Sequence, residues 1–233
     1  MDLTIIFFWI LATFFIGSLA GIVGEKRGVV YPVAMVSALV IMANVFANKI
    51  VQVGPFVVPA GVLVFSMTFY ITDLISEKWG KRYAKEAVWG GFLSSVTMVV
   101  SSYFVVHWQS APFATEMADM FSQVFALTPR IAFASFVAYL VSQNHDVWAF
   151  HYWKKLTKGK HLWLRNNAST IVSQFLDSVI FITIAFYGIM PIWPLIVGQW
   201  AVKVIIALVD TPFMYVTIWI MDKVSTKGKR KLI

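Results

Sequence analysis

"STIVSQFLDSVIFITIAF", residues 169–186, is apolar enough to lie inside a membrane, yet it sets the carboxylate of Asp177 among Phe175, Leu176, Val179 and Ile180. The rest of the chain supplies the solvent. Of 233 residues, 59% are hydrophobic and 13% charged, far from the soluble average of about 25% charged; the mean hydropathy is +0.76. Apolar runs long enough to cross a core about 30 Å thick fall at approximately 3–23, 29–50, 58–76, 86–107, 129–151, 168–189 and 192–222. The expected fold class is therefore all-α: a polytopic membrane helix bundle of seven transmembrane helices.

Charge supplies the orientation, because Lys and Arg of short loops remain on the cytoplasmic side. Lys26 and Arg27 follow the first run. Lys78, Lys81, Arg82 and Lys85 follow the third, and Lys154, Lys155, Lys158, Lys160 and Arg165 follow the fifth. With Lys223, Lys227, Lys229, Arg230 and Lys231 in the tail, 16 of 19 basic residues lie on one side, leaving Lys49, Arg130 and Lys203. The N-terminus is expected outside and the C-terminus in the cytoplasm. The net charge of +8 is then mostly this bias, with attraction to anionic lipid, and nucleic-acid binding is excluded as its explanation.

Several function classes lack their residues. The first run ends near Ser18-Leu19-Ala20, but Asp2 stands where a signal peptide would carry a basic residue, so a retained helix is expected. There is no cysteine, hence no thiolate nucleophile or Cys-based metal site. The tail sequence "STKGKRK" lacks phosphate-loop spacing. His107, His145, His151 and His161 form no metal-binding pair and fall near expected helix ends. Neither metal nor cofactor is expected, nor an enzyme. Trp108 to Thr128, with Pro112, Glu116 and Asp119, suits an outer loop with a short interfacial helix. The chain reads as one transmembrane domain.

Polar groups at membrane depth are costly and generally face a bundle interior or a cavity. At about 1.5 Å per residue, Asp177 lies roughly 14 Å into its helix and Lys203 roughly 17 Å into the next. The short "YGIMPIW" connection makes these helices antiparallel neighbours, so the two side chains are expected to meet. Gln174 and Gln199 share their faces, at three and four residues' distance. Asn44, Asn48, Lys49 and Arg130 are expected toward the outer face, and Asp73, Gln143, Asp146 and Asp210 toward the inner one. Pro212 removes the donor to the carbonyl of Leu208 and is expected to kink its helix. Two readings stay open: an ion pair that only joins helices, and a wet site for a polar ligand.

Three blocks carry a resemblance: "VPAGVLVFSMTFYITDLISEKWGKRYAKEAVWGGF" (58–92), "RIAFASFVAYLVSQNHDVWAF" (130–150) and "WLRNNASTIVSQFLDSVIFITIAF" (163–186). With Asn44, Lys203 and Asp210-Thr211-Pro212, they resemble the queuosine precursor transporter family over about residues 30–222. The resemblance implies a six-helix core at 29–222, similar to the substrate-binding subunits of vitamin uptake systems, an additional N-terminal helix at 1–28 and a basic cytoplasmic tail at 223–233. It implies import of 7-cyano-7-deazaguanine and 7-aminomethyl-7-deazaguanine across the cytoplasmic (inner) membrane for queuosine or archaeosine in tRNA. A guanine-like ring offers adjacent N–H donors to a carboxylate and faces that stack on aromatics. Asp177 and Gln174 suit the polar edge, with Phe175 and Phe181 nearby in sequence and Trp89 and Tyr139 as stacking candidates. Lys203, Gln199, Asn44, Arg130 and Gln143 complete the expected binding set; Asp73, Asp146, Asp210 and Pro212 form an inner polar or gating set.

The competing readings are a binding subunit that relies on separate ATPase subunits and a seven-helix protein holding retinal on Lys203. A homodimer is left open. Besides the 7-deazaguanine ligand, the lipid bilayer is the expected partner.

Overall fold

Backbone groups in lipid must bond within the segment that carries them, and long apolar runs with few breakers do so as helices. The computed structural model describes residues 3–47, 49–126, 129–188 and 191–230. Among them are α1 (Leu3–Arg27), α2 (Val30–Phe46), β1 (Ile50–Val53), β2 (Phe56–Pro59), α3 (Gly61–Lys78), α4 (Lys81–His107), α5 (Thr115–Ala126), α6 (Pro129–Leu156), α7 (Leu162–Phe186) and α8 (Ile192–Arg230). The fold is that of a polytopic helical membrane protein. Helices spanning Thr4–Arg27, Lys81–His107, Leu162–Phe186 and Ile192–Ser225 are long and apolar enough to cross a membrane, and the apolar Val30–Phe46 is shorter.

The boundaries differ from expectation in two ways. The second run ends at Phe46 rather than 50 and the third helix starts at Gly61 rather than 58; between them an antiparallel hairpin pairs Ile50 with Pro59 and Val53 with Phe56. Its turn places Gly54 at φ +57 ahead of Pro55, a conformation glycine adopts without steric cost. A hydropathy window cannot separate Val- and Ile-rich strands from the helices they abut. Conversely, α4, α6, α7 and α8 run past their apolar windows into the basic segments. Lys and Arg are good helix formers whose charged ends reach back to water. Residues 231–233 of the tail lie outside the described residues. α8 continues through Pro212 as one helix.

α3 is the central element: of Gly61–Ser76 only Phe65 is not buried, and α1, α2, α4, α6 and α8 all pack on it. At Gly61 a Cβ would lie 2.2 Å from the carbonyl oxygen of Ala43, so only glycine lets α2 and α3 approach this closely. α1 is tied to this core by a ring of hydroxyls: Ser18 to Tyr70 (2.7 Å), Tyr70 to Thr217 (2.9 Å) and Thr217 to Ser18 (2.7 Å). Phe14 stacks on Phe213 at 5.0 Å.

Charged side chains gather at one end of the bundle. Glu77 accepts from Arg165 (2.6 Å) and Lys154 (2.9 Å), joining the ends of α3, α7 and α6. Lys78 pairs with Asp222 (2.7 Å) and Glu25 (3.7 Å), joining α3, α8 and α1. At the opposite end Arg130 donates to the carbonyls of Ile184 and Tyr187, where α7 finishes, and the hairpin packs on α8.

Candidate functional site

α7 buries one face on which Asn166, Ser169, Thr170, Ser173, Gln174, Asp177, Ser178 and Phe181 recur at three- and four-residue spacings. This polar stripe serves two regions. In the first, Lys203 donates to Oδ2 of Asp177 while Ser142 Oγ donates to its Oδ1 at 3.2 Å. Both charges are enclosed, with Asp177 4% and Lys203 2% exposed, so the pair is held away from water as a compensated unit. Lys203 Nζ also lies 4.9 Å from the centroid of Phe65, a cation–π contact.

The pair opens into a cavity of about 400 Å³, counting its mouth, lined by Asn44, Phe65, Phe181 and Gln199 together with Pro59 of the hairpin and Gly61 at the start of α3. Asn44 Nδ2 donates to Ser95 Oγ at 2.8 Å, and Oε1 of the buried Gln199 has no hydrogen-bond partner. The lining therefore presents a carboxylate, an ammonium, two amides and two phenyl rings. The carboxylate has about four lone-pair positions, so Asp177 keeps acceptor capacity beyond its bonds to Lys203 and Ser142. A flat, polar heterocycle matches this combination.

The second region lies nearer the basic end, where Asp73, Asp146 and Asp210 are buried from α3, α6 and α8. Thr170 Oγ1 donates to Asp73 at 3.1 Å and Asn166 Nδ2 to Asp210 at 2.6 Å. His145, which lies well inside α6 rather than near its end, meets Ser173 at 2.9 Å.

Of the residues expected at the binding site, Asp177, Lys203, Asn44 and Gln199 come together around the cavity. Phe181, noted as close to Asp177 in sequence, lines it as well, and the others do not. Gln174, buried one turn along α7 from Asp177, has neither amide atom hydrogen-bonded. Gln143 is engaged with Thr68 (2.6 Å) and Thr72 (3.2 Å) between α6 and α3. Tyr139 sits behind the wall, edge-on to Phe65 at 5.7 Å. Trp89 is 49% exposed on the outside of α4. Phe175 packs on Trp200. Arg130 closes the end of α7, because the nearby final carbonyls of that helix need donors. Asn48 lies outside the described residues.

Sequence reasoning did not single out Phe65, Ser142 or Pro59. Phe65 and Pro59 fall within the first quoted block and Ser142 within the second, but helical spacing alone does not say which face of α3 or α6 meets Asp177.

Apolar helices long enough to cross a membrane, around an open cavity that a buried ion pair faces, fit the class of polytopic membrane transport proteins. Within it, the chain belongs to the family described as "Putative vitamin uptake transporter", whose model matches residues 59–217. It is 30% identical over 179 residues to the "Probable queuosine precursor transporter" of Bacillus subtilis (strain 168), covering 75% of this chain and 78% of that protein. It is also 30% identical over 130 residues to the "Queuosine precursor transporter" of Escherichia coli (strain K12), covering 54% of each. No solved structure matches. The protein is a multi-pass protein of the inner membrane.

Proposed function

We propose that this chain is a non-enzymatic importer of queuosine precursors, and specifically of 7-deazaguanines such as 7-cyano-7-deazaguanine and 7-aminomethyl-7-deazaguanine. The observation that carries the reading is the enclosed Asp177–Lys203 pair opening into a cavity with Phe65 and Phe181 in its walls. Asp177 accepts the N–H edge of the purine-like ring as a charge-assisted pair. Lys203 and Gln199 meet its carbonyl and ring-nitrogen side, and the phenyl rings cover its faces. The relatives named queuosine precursor transporters support this substrate class.

In the same proposal the seven long helices all span the membrane with the N-terminus outside. Residues 1–28 form an additional helix, 29–222 the transporting core and 223–233 a cytoplasmic tail. Alternation of the basic loops supports this orientation, as does the gathering of Lys78, Lys154 and Arg165 at one end.

The test is cellular. In a host unable to make or import 7-deazaguanines, expression of the chain restores queuosine in tRNA when precursor is supplied at micromolar concentration. Unmodified tRNA, despite membrane insertion of the protein, would end this reading. Uptake by liposomes holding the chain alone and no ATP distinguishes a self-sufficient carrier from a subunit served by ATPases.

A further inference from the structure

We infer that the inner halves of α3, α6, α7 and α8 enclose a proton-binding site, with one proton held between the carboxyls of Asp73 and Asp146, and that its occupancy drives transport through the cavity above it. The site stands on its own geometry; its link to transport rests on the function proposed above.

Charge and hydrogen bonding both leave the same gap. Asp73 and Asp146 are 0% exposed and Asp210 2%. Among the described residues, every ion pair engages other acids: Glu25, Glu77, Glu86, Asp177 and Asp222. Buried carboxylates at membrane depth without a counter-charge are expensive, so such groups are paired or neutralised.

Donors are also contested. Asp73 Oδ1 and both oxygens of Asp146 have no partner. The hydroxyls of Ser169, Ser173 and Thr170 lie within reach of Asp146, but each has one hydrogen and a second acceptor competing for it: the carbonyl of Asn166, the carbonyl of Ser169 and the carboxyl of Asp73 respectively. A separate side chain reports the same deficit. Asn166 is completely buried, and the amide that donates to Asp210 leaves its Oδ1 unpartnered. Asp73 and Asp146 lie within hydrogen-bonding reach of one another. Two facing carboxylates attract only when a proton lies between them, since like charges in one site oppose joint ionisation. Among the described residues no three His, Asp or Glu side chains converge as ligands for a metal ion, which favours a proton as the occupant.

Other titratable groups toward this end have partners of their own, except His151 of α6, whose Nε2 has none. On α3, Tyr70 is bonded to Ser18 and Thr217, and Glu77 is held by Arg165 of α7 and Lys154 of α6. His145 of α6 meets Ser173, and Lys203 of α8 is held by Asp177 of α7. Glu25 of α1 pairs with Lys78, and the cations of α4 nearest this end begin at Lys81. The remaining member is Asp210. Gln174, with both amide atoms unpartnered, lies on α7 between Thr170 and Asp177, between the proton site and the substrate cavity in sequence.

The substrate-independent test is the infrared absorption of protonated carboxyl C=O groups in the purified full-length chain at neutral pH, in sodium-free potassium buffer. A protonated-carboxyl band is expected in the parent. The same component of it is lost in Asp73→Asn and in Asp146→Asn, each eluting as the parent does, and kept in Asp210→Asn and in Glu86→Gln at the exposed surface. Absence of the band in the parent, or its loss in only one of the two variants, overturns the shared site. Disappearance of the parent band when sodium replaces potassium overturns it in favour of a sodium site.

The coupling is read in liposomes with labelled 7-aminomethyl-7-deazaguanine. With one proton per substrate, acidifying the outside by one pH unit drives about tenfold accumulation, removed by a protonophore. Asp146→Asn brings the ratio of uptake with and without the gradient to about one. Gradient-independent uptake by the parent overturns the coupling. If the band is present but no uptake occurs, the transport reading falls while the proton site stands.

Discussion

The two buried polar regions along α7 handle charge in opposite ways. Around Asp177 the carboxylate is matched: Lys203 supplies a cation and Ser142 a hydroxyl. Seven residues away at Thr170, roughly 10 Å along the helix, three carboxyl groups from α3, α6 and α8 share two side-chain donors and have no ion pair among the described residues. A compensated pair is stable as it stands and exchanges its partners only for a ligand of matching pattern. An uncompensated cluster requires a positive species from outside. In the readings proposed above, the same residue type, buried in both places, serves recognition in one and charge uptake in the other.

The largest test of this contrast removes one half of the matched pair. Asp177→Asn leaves the Lys203 ammonium buried without a counter-ion, which costs about 3–5 kcal/mol of stability and lowers the melting temperature of the purified protein. Asp177→Asn with Lys203→Met recovers most of that loss, because a neutral buried pair is tolerated. It does not recover the thermal shift produced by a 7-deazaguanine, since the N–H edge of the ligand still lacks its acceptor. Recovery of that shift would reduce Asp177 to a link between helices.

Next in size is Phe65→Leu, which removes the ring over Lys203 and one covering wall of the cavity. A loss of about 0.5–1.5 kcal/mol in ligand affinity is expected from the missing ring-on-ring contact, read by titration calorimetry, with the protein still folded. An unchanged affinity would move the ligand away from α3.

Asp146→Asn breaks or sharpens the comparison most directly. The same chemical change as at Asp177 is expected to alter stability by less than about 1 kcal/mol or to raise it, because the new amide supplies donors to an acceptor-rich cluster. A drop as deep as that of Asp177→Asn would reveal a cation bound to Asp146. Smallest of all, Trp89→Ala on the outer surface of α4 leaves ligand affinity unchanged; a clear loss would place the binding site elsewhere.

Much of the architecture was legible from composition and order. Long apolar runs, alternating basic loops and an intervening short helix require only hydropathy and charge, and α5 occurs within the stretch from Trp108 to Thr128 where a short helix was expected. The meeting of Asp177 and Lys203 was also legible, because a short connection between antiparallel helices converts sequence distance into equal depth. The hairpin was not, since Val- and Ile-rich strands look apolar to any membrane window. Trp89 and Arg130 illustrate a second blind spot. Trp89 was expected near the site as a ring to stack on the ligand and Arg130 as a polar group of the outer face, but the rotation of α4 turns Trp89 outward, and the unfilled carbonyls of α7 draw Arg130 away.

What the sequence by itself determined is the solvent, the helical class and the levels at which charges sit, because each of these follows from one segment or from adjacent segments. Which charges are compensated was decided only by tertiary structure. Asp73, Asp146 and Asp210 are 64 to 137 positions apart in the chain, and whether each meets a cation, a hydroxyl or another carboxyl depends on how α3, α6, α7 and α8 are rotated against each other. Such rotations are set by contacts between segments, of the kind seen where Gly61 of α3 meets Ala43 of α2, which leave no periodic signal within any one segment.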